Sequence, residues 1–552
     1  MSGLFSWLPG ALRALRRPRR YATLMTPAGH RIRHPGFLLT QLLVVPFAAA
    51  SHLHLRTAAL QRHLGALLFV ACGVLVAFYL RRRDQARPPA PLSTAHGSAR
   101  WGDPRSLLQP HGLIVGATTK GLLRFDDDAH LLTIAPTGSG KGIGAVLPNL
   151  LDYPGSVLVT DIKGENYAVT ARFRRDVLGH QIAGLDPFGL VGGAASYNPL
   201  DLIDPASDEA YDSSRLLANQ LVIPEPGQSE PFWDEEAASL IAAMILYVAV
   251  TAPPAERHLG TVRHLLTLGS LDLELLLDAM TATDACQGLI RRAANRIRQK
   301  EERLLAGVLA STNRHTEFLD SPHILRTLRT STFRMEDLAD WRLSLYLVLP
   351  PHHLRTHSRW LRLLIATALR LLTHTPRQPA HRVLFLLDEF AALGRMQPVE
   401  EALTYGRAYG LSVWLLVQDL AQLRELYRTS WETLLANTRL KQAFGTADDF
   451  TADYLSRLTG QATVRVRSHN RSRGSSSTSA SWLPNQQRGL ADQSAETGRR
   501  LLFPDEIRRL PADQQLLFVA GHLPLRTRRV NYLMNPDLLE RAQPNPIYEV
   551  LA

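Results

Sequence analysis

Residues 130–142 (HLLTIAPTGSGKG) join a short apolar run to a glycine-rich turn, and no other stretch restricts the possible folds as strongly. The apolar part, 130–135, reads as a buried strand. The turn comprises Pro136, Thr137, Gly138, Ser139, Gly140, Lys141 and Gly142, and a helix-like IGAVLPNLL follows. A turn of this kind between strand and helix lets backbone N–H groups wrap a phosphate chain. The helix N-terminus adds its dipole, and a lysine reaches the terminal phosphates. Two positions depart from the usual P-loop. Ala135 stands where its first glycine would be, and Gly142 where a Ser/Thr hydroxyl would touch Mg2+. Taken alone, the turn is open to two readings, a phosphate cradle or a structural turn.

A second segment narrows the choice. Residues 382–394 (RVLFLLDEFAALG) place five apolar side chains before Asp388 and Glu389. A continuous apolar run implies a strand buried on both faces, as in a parallel sheet. Acids at its C-terminal end emerge where α/β sheets bind ligands. There Asp388 can hold Mg2+ through water and Glu389 can orient an attacking water. Together the two segments predict a nucleoside triphosphatase. A third strand at 411–417 (LSVWLLV) ends at Gln418, which beside the acidic strand can sense the γ-phosphate or the water. Further strands at 156–160 and 343–350 give a mostly parallel α/β domain of at least five strands.

Residues 206–334 differ in character, being rich in Leu and Ala at helical spacing, and are expected to form an all-α insertion. The apolar run at 237–250 is 14 residues long, which suits a buried core helix better than a membrane span. Arg291, Arg292, Arg296, Arg298 and Lys300 share helical spacing. They read as a solvated face near Glu301 and Glu302, with DNA phosphate contact as the competing reading. Residues 467–481 (RSHNRSRGSSSTSAS) have a composition that cannot bury a core, so a flexible loop is expected over about 467–490. Two cysteines, Cys72 and Cys286, exclude a disulfide framework, and the histidines show no metal-ligand spacing.

The formal charge of +12 suggests nucleic acid until its position is examined. Residues 1–90 hold 13 arginines and a single acid, Asp84, whereas the remainder is neutral. Those arginines flank two apolar stretches, 37–55 and 64–80. Seven precede the first, four follow the second, and Arg56 and Arg62 lie between. A two-helix membrane hairpin with both ends cytoplasmic satisfies the positive-inside rule. The proline-punctuated stretch after Pro88 is a linker, and everything beyond it is expected in the cytoplasm.

The motifs, taken in order, resemble the VirD4/TraG family of type IV secretion coupling proteins. They are GSARWG at 97–102, APTGSGKG at 135–142, LPNL at 147–150, DIKGE at 161–165, DPF at 186–188, YNPL at 197–200, PFWD at 231–234, LDEFAALG at 387–394, Gln418, FGT at 444–446 and FPDEI at 503–507. The resemblance implies a RecA-like P-loop NTPase domain (91–205 and 335–540) with an inserted all-α domain (206–334). It further implies an N-terminal two-helix transmembrane anchor (1–90) and a short C-terminal tail (541–552). It implies ATP and Mg2+ as cofactors, with Lys141 on the phosphates, Asp388 on Mg2+, Glu389 on the water and Gln418 coupling hydrolysis to motion. Arg407 matches the position of an arginine finger that reaches a neighbouring subunit's ATP, a simple surface arginine being the alternative. The implied assembly is a homo-hexamer at the bacterial inner membrane. Its partners would be secretion-channel components, membrane lipid, and a relaxase with single-stranded DNA or protein effectors.

Three functions follow from this reading. The first is an ATP-driven conjugative DNA transporter. The second keeps the motor and exchanges the cargo for protein effectors. The third is a membrane docking scaffold that binds nucleotide and hydrolyses little, which the imperfect P-loop favours and Glu389 with Gln418 oppose.

Overall fold

The computed structural model describes residues 65–67, 69–78, 93–223, 231–340, 342–374, 379–476 and 485–545, and two compact units divide the chain after Leu92. In the first unit, residues 65–67 and 69–78 are helical, and Leu67, Phe69, Val70, Val74, Leu75 and Phe78 are exposed. No helix among the described residues is long and apolar enough to cross a membrane. The expected span at 37–55 lies outside the described residues, and that at 64–80 is described only in the part just given.

The second unit is built on thirteen described strands: β1 (Leu113–Thr118), β2 (Gly121–Phe125), β3 (His130–Ile134), β4 (Val157–Asp161), β5 (Gln181–Leu185), β6 (Leu343–Val348), β7 (Val383–Leu387), β8 (Leu411–Val417), β9 (Thr438–Ala443), β10 (Gln461–Ser476), β11 (Asn485–Arg500), β12 (Gln514–Val519) and β13 (Leu525–Arg528). Eleven of them form one sheet in the order β2-β1-β13-β12-β9-β3-β8-β7-β4-β6-β5. The seven from β9 to β5 run parallel, and β12, β13, β1 and β2 extend the sheet antiparallel. Every residue of β3, β4, β6, β7 and β8 is buried. Their side chains alternate between two cores. Leu132, Leu158, Phe385 and Leu415 pack on one face, and Leu131, Val159, Leu386 and Trp414 on the other. The expected strands are thus present, with the acidic strand β7 beside the glutamine strand β8.

Among the described residues, the only regular elements between β5 and β6 are helical, the α-helices running from Ala210–Leu221 to Pro322–Arg326. Helix Phe232–Thr251 buries twelve of its residues, ten of them in the same core as one sheet face, which explains its apolar run without lipid. In and just after helix Leu289–Arg298, three of the five basic residues are ion-paired. Arg291 meets Asp284, Arg298 meets Glu274 and Asp278, and Lys300 lies 2.7 Å from Glu236. Those pairings match a solvated face.

Residues 467–476 and 485–490 depart from the expected loop. Strands β10 and β11 form an antiparallel ribbon in continuous register from Gln461↔Arg500 to Ser476↔Asn485, with 477–484 outside the described residues. Composition mispredicts this segment because a two-stranded ladder satisfies backbone hydrogen bonds between its own strands and does not require a buried face. The GSARWG motif secures the base of the ribbon. Ala99 N–H donates to the Gln461 carbonyl (2.8 Å), and Thr463 N–H to that of Gly97 (3.1 Å).

Candidate nucleotide-binding site

The glycine-rich turn leaves the C-terminal end of β3. Gly138 and Gly140 take φ of +76° and +86°, the left-handed region that glycine tolerates best. Nothing lies within 4 Å of where a Cβ of Gly138 would stand, so the turn opens onto free space. The helix that follows begins with a wide π turn, Gly142–Val146, and tightens at Leu147–Leu150. Pro148 accounts for the widening, since it has no N–H for the carbonyl four residues back. Asn149 then fastens this helix to β1. Its Oδ1 accepts from Ile114 N–H (2.7 Å), and its Nδ2 donates to the Ile114 carbonyl (2.8 Å).

Three of the expected site residues converge from β3, β7 and β8. Lys141, only 7% exposed, directs Nζ to the Ala135 carbonyl and to Glu389 Oε1, both at 3.1 Å. Gln418 Nε2 donates to the other oxygen of Glu389 at 2.8 Å. Glu389 itself sits at φ +50°, uncommon for a residue with a side chain, and such strain collects at functional sites. Asp388 is fixed beside it by accepting from Glu389 N–H (2.9 Å), and Thr160 Oγ donates to the Asp388 carbonyl (3.0 Å). Burial, aided by the Glu389 carboxylate, pushes the Asp388 carboxyl up to about 6 against the pull of Lys141. A divalent cation at Asp388 would hold that group ionised.

Arg407 is not part of this convergence. It precedes β8, at the strand end opposite Gln418, roughly 20 Å away for a strand of this length. There it is exposed, 4.0 Å from Asp128 in the turn before β3.

Two motifs to which the sequence assigned no role also lie at the site. Phe444 continues β9 by donating its N–H to the Ile134 carbonyl (3.3 Å), and a Cβ on Gly445 would lie 3.1 Å from that of Ser139. The FGT motif therefore supports the turn from behind. Where a Cβ of residue 142 would stand, the nearest neighbouring side-chain atom is Glu165 Oε2 at 3.7 Å, so a carboxylate faces the place of the missing hydroxyl. Glu165 is positioned by the DIKGE turn, in which Asp161 Oδ2 accepts from Tyr167 N–H (2.8 Å).

Asp161 makes stability depend on pH. Burial pushes its carboxyl from the ordinary 3.8 up to about 7, against hydrogen bonds from Tyr167, Asn166 and Lys163. Between those values the folded chain holds a proton that the unfolded chain releases, so this group's contribution to stability declines as pH rises. Asp161→Asn is expected to flatten stability against pH between about 4 and 7. The change is at most about 1.4 kcal/mol per pH unit, read from denaturant midpoints. Parallel profiles for the two proteins would refute this assignment.

The geometry suits a nucleoside triphosphate with Mg2+. An open glycine turn can cradle phosphates, a lysine lies at its mouth, and two adjacent acids and a glutamine stand opposite. Comparison with known proteins agrees with this architecture. The family described as "Type IV secretory system Conjugative DNA transfer" matches residues 102–548. A conjugal transfer protein TraG of Escherichia coli is 28% identical over 504 residues, covering 81% of this chain and 78% of that protein. Protein VirD4 of Agrobacterium fabrum is 29% identical over 470 residues, covering 79% and 66%. Among solved structures, plasmid coupling protein TrwB in complex with ADP and Mg2+ superposes with a TM-score of 0.57 at 17% identity, covering 80% of this chain and 95% of that one. A second TrwB structure, with the ATP analogue ADPNP, gives a TM-score of 0.55 at 17% identity, covering 79% and 94%. With its family model spanning both ends of the sheet and everything inserted between them, the chain belongs to the type IV secretory system conjugative DNA transfer family.

Proposed function

We propose that this protein is an ATP-driven coupling protein of a type IV secretion system, anchored in the bacterial inner membrane and moving a relaxase–DNA complex into the channel. The observation that carries the ATPase reading is the Lys141–Glu389–Gln418 chain of contacts, at 3.1 and 2.8 Å, drawn from the ends of three neighbouring strands. Bound Mg2+ would neutralise charge developing on the phosphates. Thr137 to Gly142 bind the phosphate chain through their backbone, Lys141 holds its terminal end, and Asp388 holds Mg2+ through water. Glu389 orients the attacking water, and Gln418, hydrogen-bonded to it, reports the state of the site to β8. The relatives named TraG and VirD4, and the ADP- and ADPNP-bound TrwB structures, support this reading.

The anchor is 1–90, the ATPase body 91–205 with 335–540, and the helical insertion 206–334 the region nearest in character to a cargo receptor. The exposed apolar side chains on the described helix of the first unit suit lipid. Lipid, channel components and cargo are its partners, and the working state is a homo-hexamer. Arg407 lies remote from its own site, which supports a role on a neighbour's ATP over one within its own subunit. Arg407→Ala is expected to lower the turnover number by about 10³-fold while leaving ADP affinity intact. Mixing it with Lys141→Ala subunits should restore part of the activity, because each supplies what the other lacks. Wild-type turnover by Arg407→Ala would remove this role. Cells carrying the wild-type chain should transfer labelled DNA, and transfer of candidate effector proteins alone would favour the protein-cargo reading instead.

A further inference from the structure

Arg529 lies immediately after β13, and its guanidinium stacks over the Phe444 ring, 4.0 Å from the centroid. Nη2 donates to the carbonyl of Gly140 in the phosphate turn (3.2 Å), and Nη1 to that of Ala512 (2.8 Å). A Cβ at Gly140 would stand 2.7 Å from Nη2, and one at Gly144 3.4 Å from it, so glycines on the turn and its helix admit this arginine.

Its bonding is incomplete. A guanidinium carries five N–H donors. Nε is closed to solvent and has no hydrogen-bond partner, and among the described residues no carboxylate pairs with the charge. Arg174, fully buried elsewhere, shows how this chain satisfies an interior guanidinium that serves packing. It donates to Ser344 Oγ and to the carbonyls of Leu150, Tyr153 and Gly155. A partly buried cation without a counter-ion is costly unless an anion arrives to pair with it. Burial accordingly holds the Arg529 guanidinium below its ordinary value.

We propose that Arg529 is an anion-receiving residue of the nucleotide site, acting within its own subunit on the phosphates held by the glycine turn. This rests on the nucleotide-binding reading above. The stack on Phe444 keeps the guanidinium plane fixed, so little side-chain freedom remains to be lost on binding. It also explains why the FGT motif and the segment after β13, distant in sequence, meet at one loop.

The test uses the full-length chain purified in detergent, titrated calorimetrically with Mg·ADP and separately with pyrophosphate. Arg529→Gln, which keeps a donor but removes the charge, should weaken both ligands about 10- to 100-fold, the loss of a charged hydrogen bond. Arg529→Lys should recover much of each affinity, and the ligand-free melting temperature of Arg529→Gln should match or exceed wild type. A lower melting temperature with unchanged affinities would make Arg529 a packing strut and overturn the proposal. So would loss of ADP affinity with pyrophosphate unaffected, since the contact would then be to the nucleoside. Failure of the wild-type chain to bind either ligand would instead overturn the nucleotide-site reading itself.

Discussion

Replacing Lys141 with alanine is expected to abolish DNA transfer and to reduce ATP hydrolysis by at least about 10²- to 10³-fold, the loss typical of a single electrostatic contact to a reacting group. The magnitude follows from the surroundings of Nζ. It is nearly sealed from solvent between the Ala135 carbonyl and Glu389, so no water or mobile cation takes its place easily. Its removal also leaves Asp388 and Glu389 adjacent without their shared cation. Lys141 now holds the Asp388 carboxyl down against burial. Alanine should therefore raise it further, weakening Mg2+ binding near neutral pH as well as phosphate binding. Transfer frequency in donor cells and ATP turnover of purified protein measure the two consequences. Wild-type transfer by Lys141→Ala would exclude every motor function and leave the docking scaffold.

The residues for this chemistry were legible because they sit at the ends of strands with one unambiguous signal. Residues 383–387 and 411–417 are uninterrupted apolar runs, and both became strands with those limits. β9 and β12 hide for a different reason, because polar side chains occupy some of their buried positions and interrupt the apolar pattern. Thr133 donates to Gln442 Oε1 (2.7 Å), and Gln442 Nε2 donates to Gln515 Oε1 (2.7 Å). Gln515 continues the chain to Thr527 (3.1 Å), so a polar ladder crosses β3, β9, β12 and β13 inside the sheet. Each member is satisfied only by a partner on another strand, which a pattern read along one strand cannot reveal. β5 is short, begins on exposed Gln181 and contains Gly184, so neither apolar length nor propensity marks it. The same limit explains Arg529, whose partner carbonyl lies 389 positions earlier. Lys141 could be found from its neighbours in sequence, whereas Arg529 could be found only from its neighbours in space.

Glu389 separates binding from chemistry more sharply than any other residue of the site. Glu389→Gln is expected to slow hydrolysis by about 10²- to 10⁴-fold, the usual contribution of a positioned general base. Nucleotide affinity should move the other way. Glu389 Oε1 holds Lys141 Nζ at 3.1 Å, so the carboxylate competes with phosphate for the lysine. A neutral glutamine gives up that competition, yet its carbonyl can still accept from Gln418, which now donates to Glu389 Oε2 at 2.8 Å. The connection to β8 is thereby kept while the base is lost. Mg·ADP should bind Glu389→Gln as tightly as wild type or more so, and the variant should accumulate unhydrolysed ATP. Measured together, single-turnover hydrolysis and calorimetric affinity give a clear division. Slow hydrolysis with affinity preserved assigns Glu389 to the water, whereas weakened affinity would assign it to holding Lys141 in place.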